Sequence, residues 1–269
     1  MTESLSTWRV AYSTLACPTW SLDRAVRAVA EYGYEGLEVR FLDGATVSPT
    51  LPTADRQRVR QTFENAHVPL VGLDSDVRVA DPNPAVPLEM GRHMLDVAAD
   101  IGAPLLRVFG GRFEGQSGQE AETRAADTLR QLAPDAARVG VRLGLETHDV
   151  FASAEATARV LSWVNHPSVG AIWDWLNCWL PGEDPSVGER LMPWLFHVHL
   201  KDGRKTDGGW TPMPLGTGGA PVADVLAALR KINYAGWICV EWEKAWHPEI
   251  DEPEVALPRE RAALAGFGV

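Results

Sequence analysis

The sequence predicts an α/β fold, a single-domain (β/α)8 TIM barrel. Short apolar, β-prone segments alternate with helical patterns along the whole chain, which is typical of a parallel sheet with crossover helices. Eight such segments can be distinguished, and eight parallel strands are enough to close a barrel. A length of 269 residues suits one barrel, so we expect residues 1–269 to form one domain.

The eight predicted strands are rich in Val, Ile, Leu and aromatic residues. In chain order they are expected near Val10–Leu15, Gly36–Arg40, Pro69–Leu73, Leu105–Phe109, Arg142–Glu146, Val169–Trp173, Leu195–Leu200 and Trp237–Glu241. The helical pattern between the first two strands consists of Leu22, Ala25, Val26, Val29 and Ala30. Its spacings of three and four residues place these side chains on one face of a helix, with Ser21 as N-cap and Gly33 as terminator.

Two segments are predicted to be long loops because of their composition. Asp74–Pro87 is rich in Asp and Pro, and Lys201–Gly219 is rich in Gly. Both follow predicted strands, so both should lie at the carboxyl end of the barrel, where loops carry function. An open doubly wound sheet is the alternative architecture. The barrel is preferred because polar residues end four successive strands, whereas an open sheet gathers its site at one switch point.

Bulk composition excludes several classes of partner. The formal net charge of −11 and the pI of about 5.1 disfavour binding to nucleic acid. No run reaches the roughly 18 apolar residues of a membrane span, and Met1–Ser6 does not resemble the start of a secretory signal. The odd number of cysteines fits a reducing, cytoplasmic setting. The sequence leaves the oligomeric state open, and a homo-oligomer is compatible with it.

Metal-binding side chains end the fifth to eighth predicted strands. They are Glu146, Asp174, His199 and Glu241. Two carboxylates about 4 Å apart repel each other by roughly 4 kcal/mol at an effective dielectric near 20, so three at one barrel mouth need a cation or a shared proton. The donor set suits one divalent ion, Mn²⁺ or Mg²⁺ first and Zn²⁺ or Co²⁺ as alternatives. Taken singly, each residue could instead cap a helix or pair with Arg or Lys.

Five further side chains are candidates for substrate binding: Glu38, Arg107, His148, Asn177 and Lys201. Lys201 and His148 share a strand face with the ligand that precedes them, and Lys201 could stabilise an oxyanion. Asn177 follows the sixth strand closely and could hydrogen-bond to substrate or to a ligand. For Glu38 and Arg107, on the second and fourth strands, a structural salt bridge is the alternative.

Other polar and aromatic residues receive weaker assignments. His197 is expected to be an inner-layer residue, and Glu243 is expected to pair with Lys244 at the rim. The remaining histidines, His67, His93, His166 and His247, are expected to be structural or exposed. Apolar walls around a sugar could come from Trp173, Trp175, Trp179 or Trp210, for each of which packing between helices is the alternative.

Motifs in the second half resemble the xylose isomerase-like TIM-barrel superfamily, often labelled sugar phosphate isomerase/epimerase. The motifs are Leu143–His148, Trp173–Asn177, His197–Asp202, Pro214–Gly218 and Tyr234–Glu243. The resemblance implies the same four metal ligands, with Glu146 and Glu241 also serving as the catalytic acid/base pair. The DNA-repair branch needs extra histidines on earlier strands, which this chain lacks, so endonuclease activity is disfavoured.

Together these observations predict a metal-dependent isomerase or epimerase acting on a sugar or keto-polyol. Its two glutamates would move a proton next to the carbonyl, with the cation stabilising an enediolate. A keto-polyol (inosose-type) dehydratase on the same metal site is the first alternative. A non-catalytic sugar-binding or partner-binding barrel is the second, although a binding relic would tolerate loss of one glutamate.

Overall fold

A computed structural model describes residues 8–269 of the protein. Its strands are β1 (Arg9–Ser13), β2 (Gly36–Val39), β3 (Phe41–Leu42), β4 (Ala45–Thr46), β5 (Leu70–Arg78), β6 (Leu105–Phe109), β7 (Arg142–Glu146), β8 (Val169–Asp174), β9 (Leu195–Leu200), β10 (Asp202–Thr206), β11 (Gly209–Met213) and β12 (Trp237–Val240). The stretch Met1–Ser6, which is expected to carry no secretory signal, lies outside the described residues.

Eight of these strands form a closed parallel barrel, which confirms the predicted fold class. Their order around the barrel is β1-β12-β9-β8-β7-β6-β5-β2, while β3–β4 and β10–β11 are small antiparallel hairpins. The barrel strands agree with the predicted ones to within two residues at each end, except for the third. Since all eight strands run the same way, their carboxyl ends surround one mouth.

Helices cover the outside of the barrel. They are α1 (Leu22–Glu31), α2 (Thr53–Ala66), α3 (Ala85–Ile101), α4 (Gly118–Val139), α5 (Ala154–Val164), α6 (Trp175–Trp179), α7 (Val222–Lys231) and α8 (Pro253–Gly266). As expected, Ser21 caps α1, its side chain accepting a hydrogen bond from the backbone N–H of Arg24. Between β8 and β9, the short α6 and a 3-10 segment, Pro185–Trp194, stand where a full barrel helix would lie.

Both predicted long loops are wrong in part. The third barrel strand continues to Arg78 because its backbone keeps pairing with β6, and the Ser75 hydroxyl donates to the Arg107 carbonyl at 2.6 Å. Lys201–Gly219 folds largely into the β10–β11 hairpin. The buried Asp202 carboxylate then accepts the backbone N–H groups of the turn that follows, at 2.9 Å for Gly216 and for Gly218. The composition of the glycine-rich turn does not predict this ordered structure, because the acceptor, Asp202, lies outside the turn.

The apolar core lies mainly between the outer faces of the strands and the helices. A separate small cluster of Ala11, Val71 and Cys239, with Trp237 packed against it, lies inside the barrel, where the Cys239 thiol is 3.5 Å from Glu38 Oε1. We call this cluster the inner plug. Within residues 8–269 there is no helix with both the length and the apolar character needed to span a bilayer.

Candidate metal centre

The four predicted ligands meet at the barrel mouth. Glu146 and Asp174 are the last residues of β7 and β8, His199 lies on β9, and Glu241 directly follows β12. Strand register sets their alignment, since Asp174 is opposite His199. One donor atom from each residue lies within 4.8 Å of the others, and all four residues are buried.

His199 presents one ring nitrogen to two of the other ligands, Glu146 and Glu241. Its Nδ1 lies 2.9 Å from Glu146 Oε1 and 3.3 Å from Glu241 Oε1, while its Nε2 lies 3.2 Å from Glu38 Oε1. Burial lowers the pKa of His199, but the carboxylates of Glu241 and Glu38 outweigh it and hold that pKa well above its ordinary value. Nδ1 is therefore the nitrogen positioned to ligate a cation, with Nε2–H donating to Glu38.

The carboxylates are shaped by opposing charges. Burial raises the pKa of Asp174 to about 6, against the lowering effect of the Lys201 ammonium. Burial also acts to raise the pKa of Glu146, but the Arg107 guanidinium, 3.3 Å from Oε2, outweighs it and the pKa falls. Glu146 Oε2 is nevertheless buried without a hydrogen bond. An unsatisfied carboxylate oxygen among three further donors fits a divalent cation, which accepts carboxylate and imidazole ligands.

Lys201 lies deeper in the charge network than expected. Its Nζ is 2.7 Å from Asp174 Oδ2, 2.8 Å from Glu241 Oε2 and 2.7 Å from Glu243 Oε1. Burial would lower its pKa, yet Asp174 and Glu241 raise it well above the ordinary value, so the amine stays charged. The expected pair of Glu243 with Lys244 is wrong, because Glu243 pairs with Lys201 and Lys244 pairs instead with Glu252 at 2.8 Å.

Asn177 and His148 flank the ligands. Asn177 lies in α6, and its side-chain amide donates to Asp174 Oδ2 at 2.9 Å. His148 rests edge-on against Phe109, with Nδ1 3.3 Å from Asp149 Oδ2. Both side chains line the same cavity as Glu146, as their assignment to substrate binding requires.

Glu38 is placed differently from the expectation of substrate contact. It is fully buried, outside the residues that line the cavity, with Oε2 3.0 Å from His197 Nε2 and Oε1 3.2 Å from His199 Nε2. Burial would raise its pKa, but the two imidazoles lower it well below the usual range. Gly72 makes room for this carboxylate, since a Cβ there would lie 3.1 Å from Glu38 Oε2. Glu38 therefore supports His199 from behind.

Arg107 does reach the mouth, and it lies between two carboxylates. It lines the cavity, with Nε 3.3 Å from Glu146 Oε2 and 3.6 Å from Asp74 Oδ1. Asp74, which the sequence predicts to lie in a loop, belongs to β5, where both its oxygens are buried without a hydrogen bond. Burial, and then the Glu38 carboxylate, raise its pKa well above the ordinary value. An isolated Asp at the end of an apolar run was the available sequence signal.

Beside Glu146 and Glu241 lies a cavity of about 260 Å³, which we call the inner cavity. Besides the residues already described, Trp210, Trp246 and His247 line it. His247, which is expected to be structural or exposed, therefore lies at the site instead. Trp173 and Trp175 are fully buried and do not line the inner cavity, so of the four candidate tryptophans Trp210 alone contributes to its wall. Trp246 and His247 follow the last strand, which was the sequence signal that could have identified them.

The arrangement can be compared with known proteins. A profile of the xylose isomerase-like TIM barrel family matches residues 26–266. The chain belongs to this family. A 2-epi-5-epi-valiolone 7-phosphate 2-epimerase from Actinoplanes sp. is 30% identical over 84% of this chain and 81% of its own. A putative hydroxypyruvate isomerase from Streptomyces coelicolor is 28% identical over 75% of this chain and 78% of its own. The predicted family is thus confirmed, and its relatives are named as isomerases and epimerases.

Solved structures agree with the fold. A crystal structure of IolI protein with a bound zinc atom superposes with a TM-score of 0.82 at 17% identity, covering 97% of this chain and 98% of that one. A structure of L-ribulose 3-epimerase gives a TM-score of 0.79 at 18% identity, with coverage of 97% and 94%. At such identities the likeness establishes the barrel, while the metal and the substrate depend on the residues of this chain.

Proposed function

We propose that the protein is a divalent-metal-dependent isomerase or epimerase that moves a proton at the carbon next to the carbonyl of a keto-sugar or keto-polyol. One observation carries this proposal: donor atoms of Glu146, Asp174, His199 and Glu241 lie within 4.8 Å of one another, and the two glutamates also line the inner cavity. Two of these groups are glutamates from strands separated by β8 and β9 in the barrel. The pair can therefore face one bound carbon from two sides.

The residues around the four ligands would divide the work. A divalent ion held by them would polarise the substrate carbonyl and favour negative charge on its oxygen. Glu146, kept ionised by Arg107, would accept the proton from the α-carbon as the C–H electron pair moves toward the carbonyl. Glu241, after taking up a proton from solvent, would deliver it to the opposite face in epimerisation or to the neighbouring carbon in isomerisation. Lys201, 2.8 Å from Glu241, would hold that glutamate in place.

The proposal extends to the metal and to the domain. Three carboxylates with one imidazole support Mn²⁺ or Mg²⁺, with Zn²⁺ and Co²⁺ as the other candidates. Residues 1–269 are proposed to form one domain, which is supported by a family match over 26–266 and by one closed barrel. His148, Asn177, Lys201 and Arg107 are proposed to contact the substrate, because all four line the inner cavity.

Proton NMR in D₂O tests the function. The metal-depleted protein is reloaded with Mn²⁺, Mg²⁺, Zn²⁺ or Co²⁺ and incubated with ketohexoses, ketopentoses and inososes. We expect deuterium to enter the α-carbon together with formation of an epimer or isomer, and neither with the chelated protein. Loss of water to a diketone or enol would show a dehydratase instead. Metal binding without exchange on any substrate would contradict an enzyme of this class.

A further inference from the structure

A second cavity, of about 600 Å³, adjoins the inner cavity. We call it the outer cavity. The two share His148, Asn177 and Trp210 as lining residues, so they are adjacent along these three side chains. At about 260 Å³ the inner cavity is smaller than the roughly 300–1,000 Å³ typical of ligand pockets, whereas the outer cavity falls within that range. The site is therefore built for a molecule longer than the part that reaches the metal ligands.

The walls of the outer cavity suit an uncharged ring. Val150, Leu180, Pro181 and Trp210 give it apolar surface. An indole face packs well against the C–H faces of a sugar ring, because such rings combine apolar faces with polar edges. Trp210 lies at the junction of the two cavities, where it can contact both halves of an extended ligand.

The charges of the outer cavity oppose a phosphate. Among the residues that line the outer cavity, all of which lie within residues 8–269, Arg112 is the one permanently cationic side chain. Its Nε lies 3.4 Å from Asp149 Oδ1, so the carboxylate already offsets this charge. The Asp149 backbone is in the left-handed region, with φ 52°, and its carboxylate contacts both Arg112 and His148. A phosphate of charge about −1.5 to −2 would meet this carboxylate, whereas sugar hydroxyls can bond to both partners.

Building on the proposed function, we infer that the outer cavity binds a second, neutral pyranose ring. The preferred substrate is then a keto-sugar that carries a glycosidic substituent, in contrast to a free ketose or a sugar phosphate. The keto ring occupies the inner cavity beside Glu146 and Glu241. The second ring lies on Trp210 and Leu180, with its hydroxyls toward Arg112 and Asp149.

The test compares four probes on the metal-loaded wild-type protein: methyl 3-keto-glucopyranoside, the 3-keto disaccharide of two glucose units, D-fructose and D-fructose 6-phosphate. The readout is kcat/KM for deuterium uptake at the α-carbon. We expect the disaccharide to exceed the methyl glycoside by about tenfold or more, as contacts to one added group can provide. Equal values for the two glycosides, or a preference for the phosphate, would overturn the inference.

Variants locate the effect. Leu180→Trp fills the outer cavity and is expected to lower the disaccharide-to-methyl ratio about tenfold. Met192→Trp adds the same side chain at a position that is 54% exposed and outside both cavities, and it should leave the ratio unchanged. An unchanged ratio in a folded Leu180→Trp protein would contradict the inference. The comparison of the four probes on the wild-type protein tests the inference even if a variant fails to fold. Absence of exchange on every probe would instead refute the proposed function, whereas exchange without preference refutes only the second-ring site.

Discussion

The two halves of the barrel contribute differently to its mouth. The proposed metal ligands all come from the second half, from β7, β8, β9 and the residue after β12. The first half contributes Glu38, Asp74 and Arg107, from β2, β5 and β6, which contact the ligands or one another from the side and from behind. The second half therefore presents donors, and the first half sets their charge and orientation.

Charge explains why both halves are needed. Six carboxylates are buried at the mouth, those of Glu38, Asp74, Glu146, Asp174, Glu241 and Glu243. Against them stand two permanent cations, Arg107 and Lys201. Carboxylates without partners are costly to bury, so the excess negative charge favours uptake of a divalent ion and of protons. We therefore expect substitutions in the second half to abolish turnover or metal binding, and substitutions in the first half to lower metal affinity.

Replacing the proposed proton-transfer groups should have the largest effect. Glu146→Gln and Glu241→Gln are each expected to lower kcat by about 10²–10⁴, because the amide cannot exchange the proton. Deuterium uptake on metal-reconstituted protein measures this loss. Glu114→Gln, at an exposed position that lines neither cavity, is the matched control and should keep full activity. Turnover near wild type in either site variant would remove the acid/base roles.

Removing the imidazole should release the metal. His199→Ala leaves three carboxylates facing one another, so we expect metal content well below one equivalent after dialysis. Inductively coupled plasma mass spectrometry, normalised to protein concentration, measures this change. His93→Ala, on α3 and away from the mouth, is the control. If His199→Ala retains a full equivalent, the proposed ligand set is wrong.

A first-half variant should sharpen the comparison. Glu38→Gln removes the charge behind His199 while keeping its shape, and we expect metal affinity to fall by about 10–100-fold. Competition with a chromogenic chelator measures the dissociation constant. A loss as large as that of His199→Ala would place Glu38 among the ligands, and no loss would show that the two halves act independently.

The smallest expected effect is on stability against pH. In the metal-free protein, Asp174 has a pKa raised to about 6, mainly by burial, and the pKa values of Asp74 and His199 are also raised. The folded state therefore holds protons that the unfolded state has released, and its free energy of unfolding should decrease as pH rises from about 5 to 7. Metal should reverse this slope, since it binds the deprotonated ligands. Thermal melts with chelator or with metal measure both; matching slopes would contradict the coupling.

The sequence predicted positions better than contacts. Strand ends can be identified where short apolar, β-prone runs stop, so the sequence alone places Glu146, Asp174, His199 and Glu241 at one mouth. The partner of each side chain depends on barrel closure. Glu38 was expected near substrate but faces His199 across the interior, because β2 closes onto the far side of the barrel.

The rim was the least predictable part. Trp246 and His247 reach the inner cavity because the chain after β12 packs against the first strand end, where the Ala245 N–H donates to the Leu15 carbonyl at 3.2 Å. This contact joins segments from opposite ends of the sequence. A local pattern does not reveal this contact, and the only sequence signal for Trp246 and His247 is their position just after the last strand.

The inner plug of Ala11, Val71 and Cys239 has a kinetic consequence. The interior of such a barrel is a packed core and not a pore, so substrate and product would share the mouth beside Trp210 and Trp246. Product would then have to leave through this mouth before another substrate molecule binds. Accumulated product would compete directly with substrate. A bulky compound bound at the mouth would block a reversible reaction in both directions.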